Sequence, residues 1–151
     1  MIKIITVGKV KEKFFRDAIL EYQKRLQKYT KLELIEVNDV SFDNPTLILE
    51  KECLSIEKYI ASTDFVITLE IEGKELDSVT FAEQIEKWQM QYSNICFIIG
   101  GSYGLHQKIK TRSNFSLSFS KMTFPHQLFR ILLLEQIYRS YRILNNESYH
   151  K

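Results

Sequence analysis

The sequence predicts an α/β domain with a mostly parallel sheet flanked by helices. Three observations carry that reading. Short β-branched or wholly apolar runs alternate with segments of helical spacing from one end of the chain to the other. One such run, Ile95–Ile99, is apolar without interruption, as a strand covered on both faces of a parallel sheet has to be. With 151 residues, 44% of them hydrophobic and 26% charged, the chain can bury one sizeable core but not two, so residues 1–151 read as a single domain.

The elements follow in order. Ile2 to Val7 is a β-branched run stopped by Gly8, and residues 14–29 place Phe15, Ala18, Ile19, Tyr22, Leu26 and Tyr29 on one helical face. Leu32 to Val37 alternates as a strand does. Pro45 opens a second helical pattern through Leu49, Cys53, Ile56 and Ile60. Phe65 to Ile71 reads as a buried strand, Phe81 to Tyr92 as a helix, Ile95 to Ile99 as the central strand and Ser116 to Phe119 as a short one. The last helix starts near Pro125, a residue suited to a first helical turn, and runs to about Leu144. Connections are expected at 70–77, 100–106 and 120–127. In a parallel sheet the loops beyond the carboxyl ends of the strands are where ligands bind.

Composition excludes several classes. The two cysteines, Cys53 and Cys96, have neither CxxC spacing nor a histidine nearby in sequence, which argues against a zinc site or a disulfide framework. No charged and then apolar leader opens the chain, and no run approaches a membrane span, so a cytoplasmic protein is expected. The net charge of +2 conceals an uneven distribution: residues 1–31 carry +6, residues 32–94 carry −10 and residues 95–151 carry +6. Basic ends brought together by the fold, or by a symmetric partner, would suit a phosphate backbone. Solvated lysines on an amphipathic helix are the plainer reading.

Three stretches carry candidate chemistry. Gly100-Gly101-Ser102-Tyr103-Gly104 holds three of the five glycines, which suits a backbone cradle around a nucleotide or, equally, a tight turn. It is neither GxGxxG nor GxxxxGK[ST], so dinucleotide and P-loop readings fail. Phe119-Ser120-Lys121-Met122-Thr123-Phe124 precedes a helix start, where free backbone N–H groups lie between apolar walls; read alone, Thr123 is a helix cap and the apolar residues are core. His126, on the first helical turn, reads as structural or as a weak catalytic candidate. The ending Tyr149-His150-Lys151 offers a stacking ring, a proton acceptor and a phosphate-binding cation, although chain ends usually fray.

Beyond periodicity, the stretches VGK near Gly8, FVITLEIEGKEL from Phe65, FIIGGSYGLH from Phe97, LSFSKMTFPHQLFRILLLEQIYR from Leu117 and the final YHK resemble the small ribosomal RNA methyltransferases of the SPOUT class. They resemble most the subfamily that methylates N3 of a pseudouridine in bacterial large-subunit (23S) rRNA. The resemblance implies S-adenosylmethionine as methyl donor with no metal, a trefoil knot in the C-terminal part, and a homodimer in which both chains complete each site. Carried over by position, the donor-binding residues are Leu69, Gly100, Phe119, Ser120, Lys121, Met122, Thr123 and Phe124. For stabilising or deprotonating the acceptor base, the chemistry of methyl transfer to a ring nitrogen points first to His150 and then to Arg139, with Tyr149 stacking on or orienting the base. Lys9, Lys11, Lys13 and Arg16 are expected to contact RNA phosphates. The competing classes are a catalytically silent RNA-binding protein of the same fold, a methyltransferase of another RNA such as tRNA, and an oxidoreductase. The last is disfavoured by the missing glycine fingerprint.

Overall fold

A computed structural model describes all residues, 1–151. Five strands, β1 (Ile2–Val7), β2 (Leu32–Val37), β3 (Phe65–Glu75), β4 (Ile95–Ile99) and β5 (Phe115–Ser118), form one sheet in the order β2-β1-β4-β3-β5. Every pairing is parallel. The helices are α1 (Lys13–Leu26), α2 (Pro45–Glu57), α3 (Ser78–Gln91), α4 (Gln107–Arg112) and α5 (His126–Leu144). No helix is long and apolar enough to cross a membrane.

Alternation along the strands builds two cores, because successive side chains point to opposite faces. Ile2, Ile4, Phe65, Ile67, Ile95, Phe97 and Ile99 face a layer made by α1, α3 and α5, where Leu26, Phe81, Ile85, Leu133, Leu134 and Ile137 close over them. Ile5, Val7, Val66, Cys96 and Ile98 face α2 and α4 through Cys53, Ile56 and Ile109. The wholly buried β1 and β4 lie inside the sheet, which is why their sequences are apolar at every turn of the pleat except Lys3 and Thr6. Lys3 is reconciled with burial by an ion pair to Asp64, 2.6 Å away, and a bond to the Tyr59 carbonyl.

One expectation is corrected, and one element goes beyond the sequence reading. Residues 70–75 belong to β3: the strand continues past Leu69 with a register shift against β5, so that Leu117 is opposite both Leu69 and Lys74. Gly73 permits this, since a Cβ there would lie 2.7 Å from the Leu117 carbonyl carbon. Residues 107–112 form a helix, α4, that is too short and too polar to show a period; Ile109 alone is buried, and the His106 ring caps it by accepting from the Lys108 N–H at 3.0 Å.

The first and last helices pack side by side, which joins the two basic ends. The chain end is fastened rather than frayed. Glu147 accepts from Tyr29 at 2.7 Å and from Arg142 at 2.5 Å and pairs with Lys28, while Arg142 also donates to the Ser148 carbonyl.

Candidate active site

Beyond the carboxyl ends of β3, β4 and β5 lies a cavity of about 360 Å³. Leu69, Gly100, Ser118 to Ser120 and Met122 to Phe124 line it, together with His126 and Phe129 at the start of α5. The place follows from topology: β3 and β5 hand the chain to helices on one face of the sheet and β4 to a helix on the other, so the loops diverge and leave a crevice.

The glycine loop is shaped by its own backbone. Gly104 donates its N–H to Gly101 at 3.0 Å and has φ +79°, a conformation that glycine adopts without strain. A Cβ on Gly100 would stand 2.7 Å from the Gly104 carbonyl carbon and closer still to its oxygen. The tight-turn and cradle readings thus describe one object, a closed turn whose edge is the cavity wall.

The opposite wall is the 118–124 segment. Ser118 donates to the Ser120 carbonyl at 3.2 Å, and the Ser120 hydroxyl accepts the Met122 N–H at 3.0 Å, which curls the chain around the cavity. Phe129 supports it, with Phe119 edge-on at 4.9 Å and Phe124 stacked at 6.1 Å. Thr123 caps nothing: Pro125 occupies the N-cap position of α5 with no side-chain cap bond, so Thr123 is left to the cavity. Lys121 is exposed and lies outside the lining. His126 is pushed below the ordinary imidazole range by desolvation and by the Arg130 charge, and is therefore neutral at pH 7. Three exposed apolar side chains, Ile71, Tyr103 and Met122, the last 75% exposed, belong to the rim.

The tail residues form a second cluster. Glu135 holds the Arg139 guanidinium at 2.8 and 2.6 Å and accepts from the Tyr149 hydroxyl at 3.2 Å. Arg139 lies over the Tyr149 ring at 4.8 Å, and that ring meets Tyr138 edge-on at 5.1 Å. Arg139 Nη1 is 3.1 Å from His150 Nδ1. A guanidinium only donates, so in this contact Nδ1 is the acceptor and Nε2 is the proton-bearing nitrogen of the ring. Nε2 is then a donor, which suits stabilising an anion more than removing a proton.

Within one chain these two groups do not meet. Arg139 is thirteen residues beyond His126, roughly 20 Å along α5 at the helical rise, and neither Arg139, Tyr149 nor His150 lines the cavity. Among the N-terminal candidates, Arg16 turns back onto the Val10 and Lys11 carbonyls and Lys13 pairs with Asp17 at 2.8 Å, leaving Lys9 and Lys11 as the free cations. Sequence reasoning missed Glu70 and Lys110 of the cavity, and Glu52, a carboxylate 5% exposed behind Gly101; acidic and basic residues in polar stretches carry no spacing signal.

Comparison with known proteins agrees with this geometry. The family model described as "Predicted SPOUT methyltransferase" matches residues 1–150. A relative from Methanococcus vannielii is 55% identical over 99% of each chain, and a Clostridium botulinum protein named ribosomal RNA large subunit methyltransferase H is 52% identical over the same shares. A solved methylase-family protein from Haemophilus influenzae superposes with TM-score 0.58 at 14% identity, over 99% of this chain and 70% of that one, a likeness of fold. A parallel sheet with a glycine turn and a curled segment around one cavity, matched over its whole length, places this chain in the SPOUT methyltransferase family.

Proposed function

We propose that the chain, acting whole as one domain, transfers a methyl group from S-adenosylmethionine to N3 of a pseudouridine in 23S rRNA, as a cytoplasmic homodimer. The observation that carries the reading is the cavity between the Gly100 turn and the 118–124 segment in a chain of this family. The names of the close relatives support the large-subunit rRNA as substrate.

The cavity fits the donor. Its volume lies within the roughly 300–1,000 Å³ common for small-molecule sites, and it joins apolar walls for an adenine to the start of α5, whose first backbone N–H groups have no side-chain cap. Leu69, Gly100 and Phe119 to Phe124 would hold it, with Lys121 at the outer edge. When bound, S-adenosylmethionine supplies a sulfonium methyl carbon: the N3–C bond forms as the C–S bond breaks with its electron pair left on sulfur. The chain's remaining tasks are alignment and charge. Arg139, fixed by Glu135, and the His150 Nε2–H donate toward the ring carbonyl oxygens and stabilise the anion left when the N3 proton departs to solvent. Tyr149, already packed on Tyr138, orients the base.

A homodimer reconciles the roughly 20 Å between cavity and tail along α5, because a second copy can bring its tail to the first copy's cavity. The apolar rim of Ile71, Tyr103 and Met122 supplies surface for that copy to cover. Strand order with β5 outside β3, and α5 returning across α1, agrees with the knot that the resemblance implies.

Complementation tests the arrangement. Mixing a Gly100→Ala protein with one lacking residues 149–151 builds one intact composite site in each mixed dimer, so at a donor concentration that loads wild type but not Gly100→Ala, random exchange should restore about a quarter of wild-type methyl transfer from two parents that each transfer poorly. No restoration, with mixed dimers demonstrated, refutes the shared site.

A further inference from the structure

We propose that Glu70 makes the cavity selective for a cationic methyl donor over its uncharged demethylated product, so that transfer itself weakens the hold on the spent molecule. The inference rests on the donor-site reading above and adds to it a residue with a specific task.

Glu70 follows Leu69 on β3 and so points to the opposite face, toward α4. Thr68 lies on that same face, and Ser116 is its partner in register across the β3/β5 ladder. Both hydroxyls donate to one carboxylate oxygen, Oε2, each at 2.7 Å. The other oxygen, Oε1, faces Lys110 Nζ at a looser 3.4 Å and retains capacity toward the cavity that both residues line. Burial alone would raise this carboxyl, but the Ser116 and Thr68 hydroxyls together with the Lys110 charge outweigh it and hold it below the usual carboxylate range. A fixed, ionised carboxylate therefore borders the cavity.

The lining is biased as a whole. Its charged side chains are Glu70, Glu72 and Lys110, one net negative charge, with His126 neutral. S-adenosylmethionine at neutral pH carries a sulfonium, an ammonium and a carboxylate, net +1. S-adenosylhomocysteine lacks the sulfonium and is net neutral. A cavity of this volume is on the order of 9 Å across, so a charge anywhere inside it lies within about one Debye length of Glu70. Of the two carboxylates, Glu70 is the one whose position is fixed by neighbouring hydroxyls; Glu72 is exposed. Its preference for the cation is thus built before any ligand arrives.

The test is calorimetric titration of the full-length protein with S-adenosylmethionine and, separately, with S-adenosylhomocysteine. The quantity read is the ratio of the two affinities. Glu70→Gln, which keeps the shape and one acceptor oxygen, should lower the donor-to-product ratio about fivefold or more. Lys110→Gln should raise it, because the carboxylate then faces the ligand uncompensated. An unchanged ratio in Glu70→Gln overturns the proposal, and so does an equal loss of both affinities, which would make Glu70 a clasp between β3 and β5. If Glu70→Gln does not fold, Lys110→Gln decides alone: a ratio that stays level or falls overturns the proposal. Wild-type protein that binds neither compound refutes the donor-site reading itself, a result distinct from a ratio that fails to move.

Discussion

Replacing Gly100 with alanine puts a methyl group into the turn that closes the cavity. The new carbon would lie 2.7 Å from the Gly104 carbonyl carbon, against an ordinary contact of 3.4 Å or more, and 3.1 Å from Leu105 Cδ2. Something must move by at least about 0.7 Å, since the Gly104 oxygen is nearer still, and the obstacle is backbone, which yields less readily than a side-chain end. The turn has two options. Staying closed incurs overpacking of about 1–3 kcal/mol, and opening forfeits the Gly104 N–H to Gly101 bond and exposes its partners, about 1–3 kcal/mol. Either way about 1–3 kcal/mol is set against the closed cavity, which corresponds to a roughly 5- to 150-fold weaker donor affinity at about 1.4 kcal/mol per tenfold. The assay is titration with S-adenosylmethionine beside a thermal melt. Gly101→Ala is the internal control, since its Cβ would meet only side-chain atoms, Glu52 Oε1 and Val7 Cγ1, both at 3.2 Å, and should weaken binding by less than about fivefold. Donor affinity in Gly100→Ala equal to wild type would refute the argument that this turn is the cavity wall.

Removing Tyr149 to Lys151 should leave donor affinity within about twofold, because none of the three lines the cavity, and should lower single-turnover methyl transfer at least a hundredfold; retained transfer removes the tail from the chemistry. Glu52→Gln should raise the melting temperature at pH 7 to 8 by about 2–4 °C, the shift that roughly 1 kcal/mol gives at this chain length. Burial, and then the Asp39 charge, push the Glu52 carboxyl above its ordinary value, so its contribution to stability is present at low pH and is lost as pH rises through the raised value; the two proteins should converge below about pH 4. Equal melting points at pH 8 refute this. Changing Lys9 and Lys11 to glutamine should weaken rRNA binding at all sequences and reduce the salt slope by about one to two units, whereas Lys13, paired with Asp17, should add little. An unchanged slope returns the basic run to simple solvation.

The parts legible in the sequence are those where the physics is local. β1 and β4 were visible at their true bounds because strands covered on both faces need unbroken apolar runs, and the sheet rule then located the cavity at the ends of β3, β4 and β5. The extension of β3 through Glu72 to Glu75 was not visible: it is polar, and it is held by a register shift and the close approach at Gly73. α4 has one buried residue and no period to detect. The fastening of the tail depends on Glu147 reaching Tyr29, 118 positions away, and no spacing rule spans that distance. Glu70 looked like one acid among fourteen in the acidic middle segment until Thr68, Ser116 and Lys110 converged on it. The donor-side candidates came from resemblance and fall on the cavity with the exception of Lys121; the acceptor-side candidates cluster elsewhere on the same chain.

The most direct measurement is transfer of a labelled methyl group from S-adenosylmethionine to ribosomes lacking the modification, followed by nucleoside analysis of the separated RNAs. One methyl group per large-subunit rRNA, recovered as N3-methylpseudouridine, is the expected result. Label confined to tRNA, or none at all in a protein that binds the donor, would contradict it.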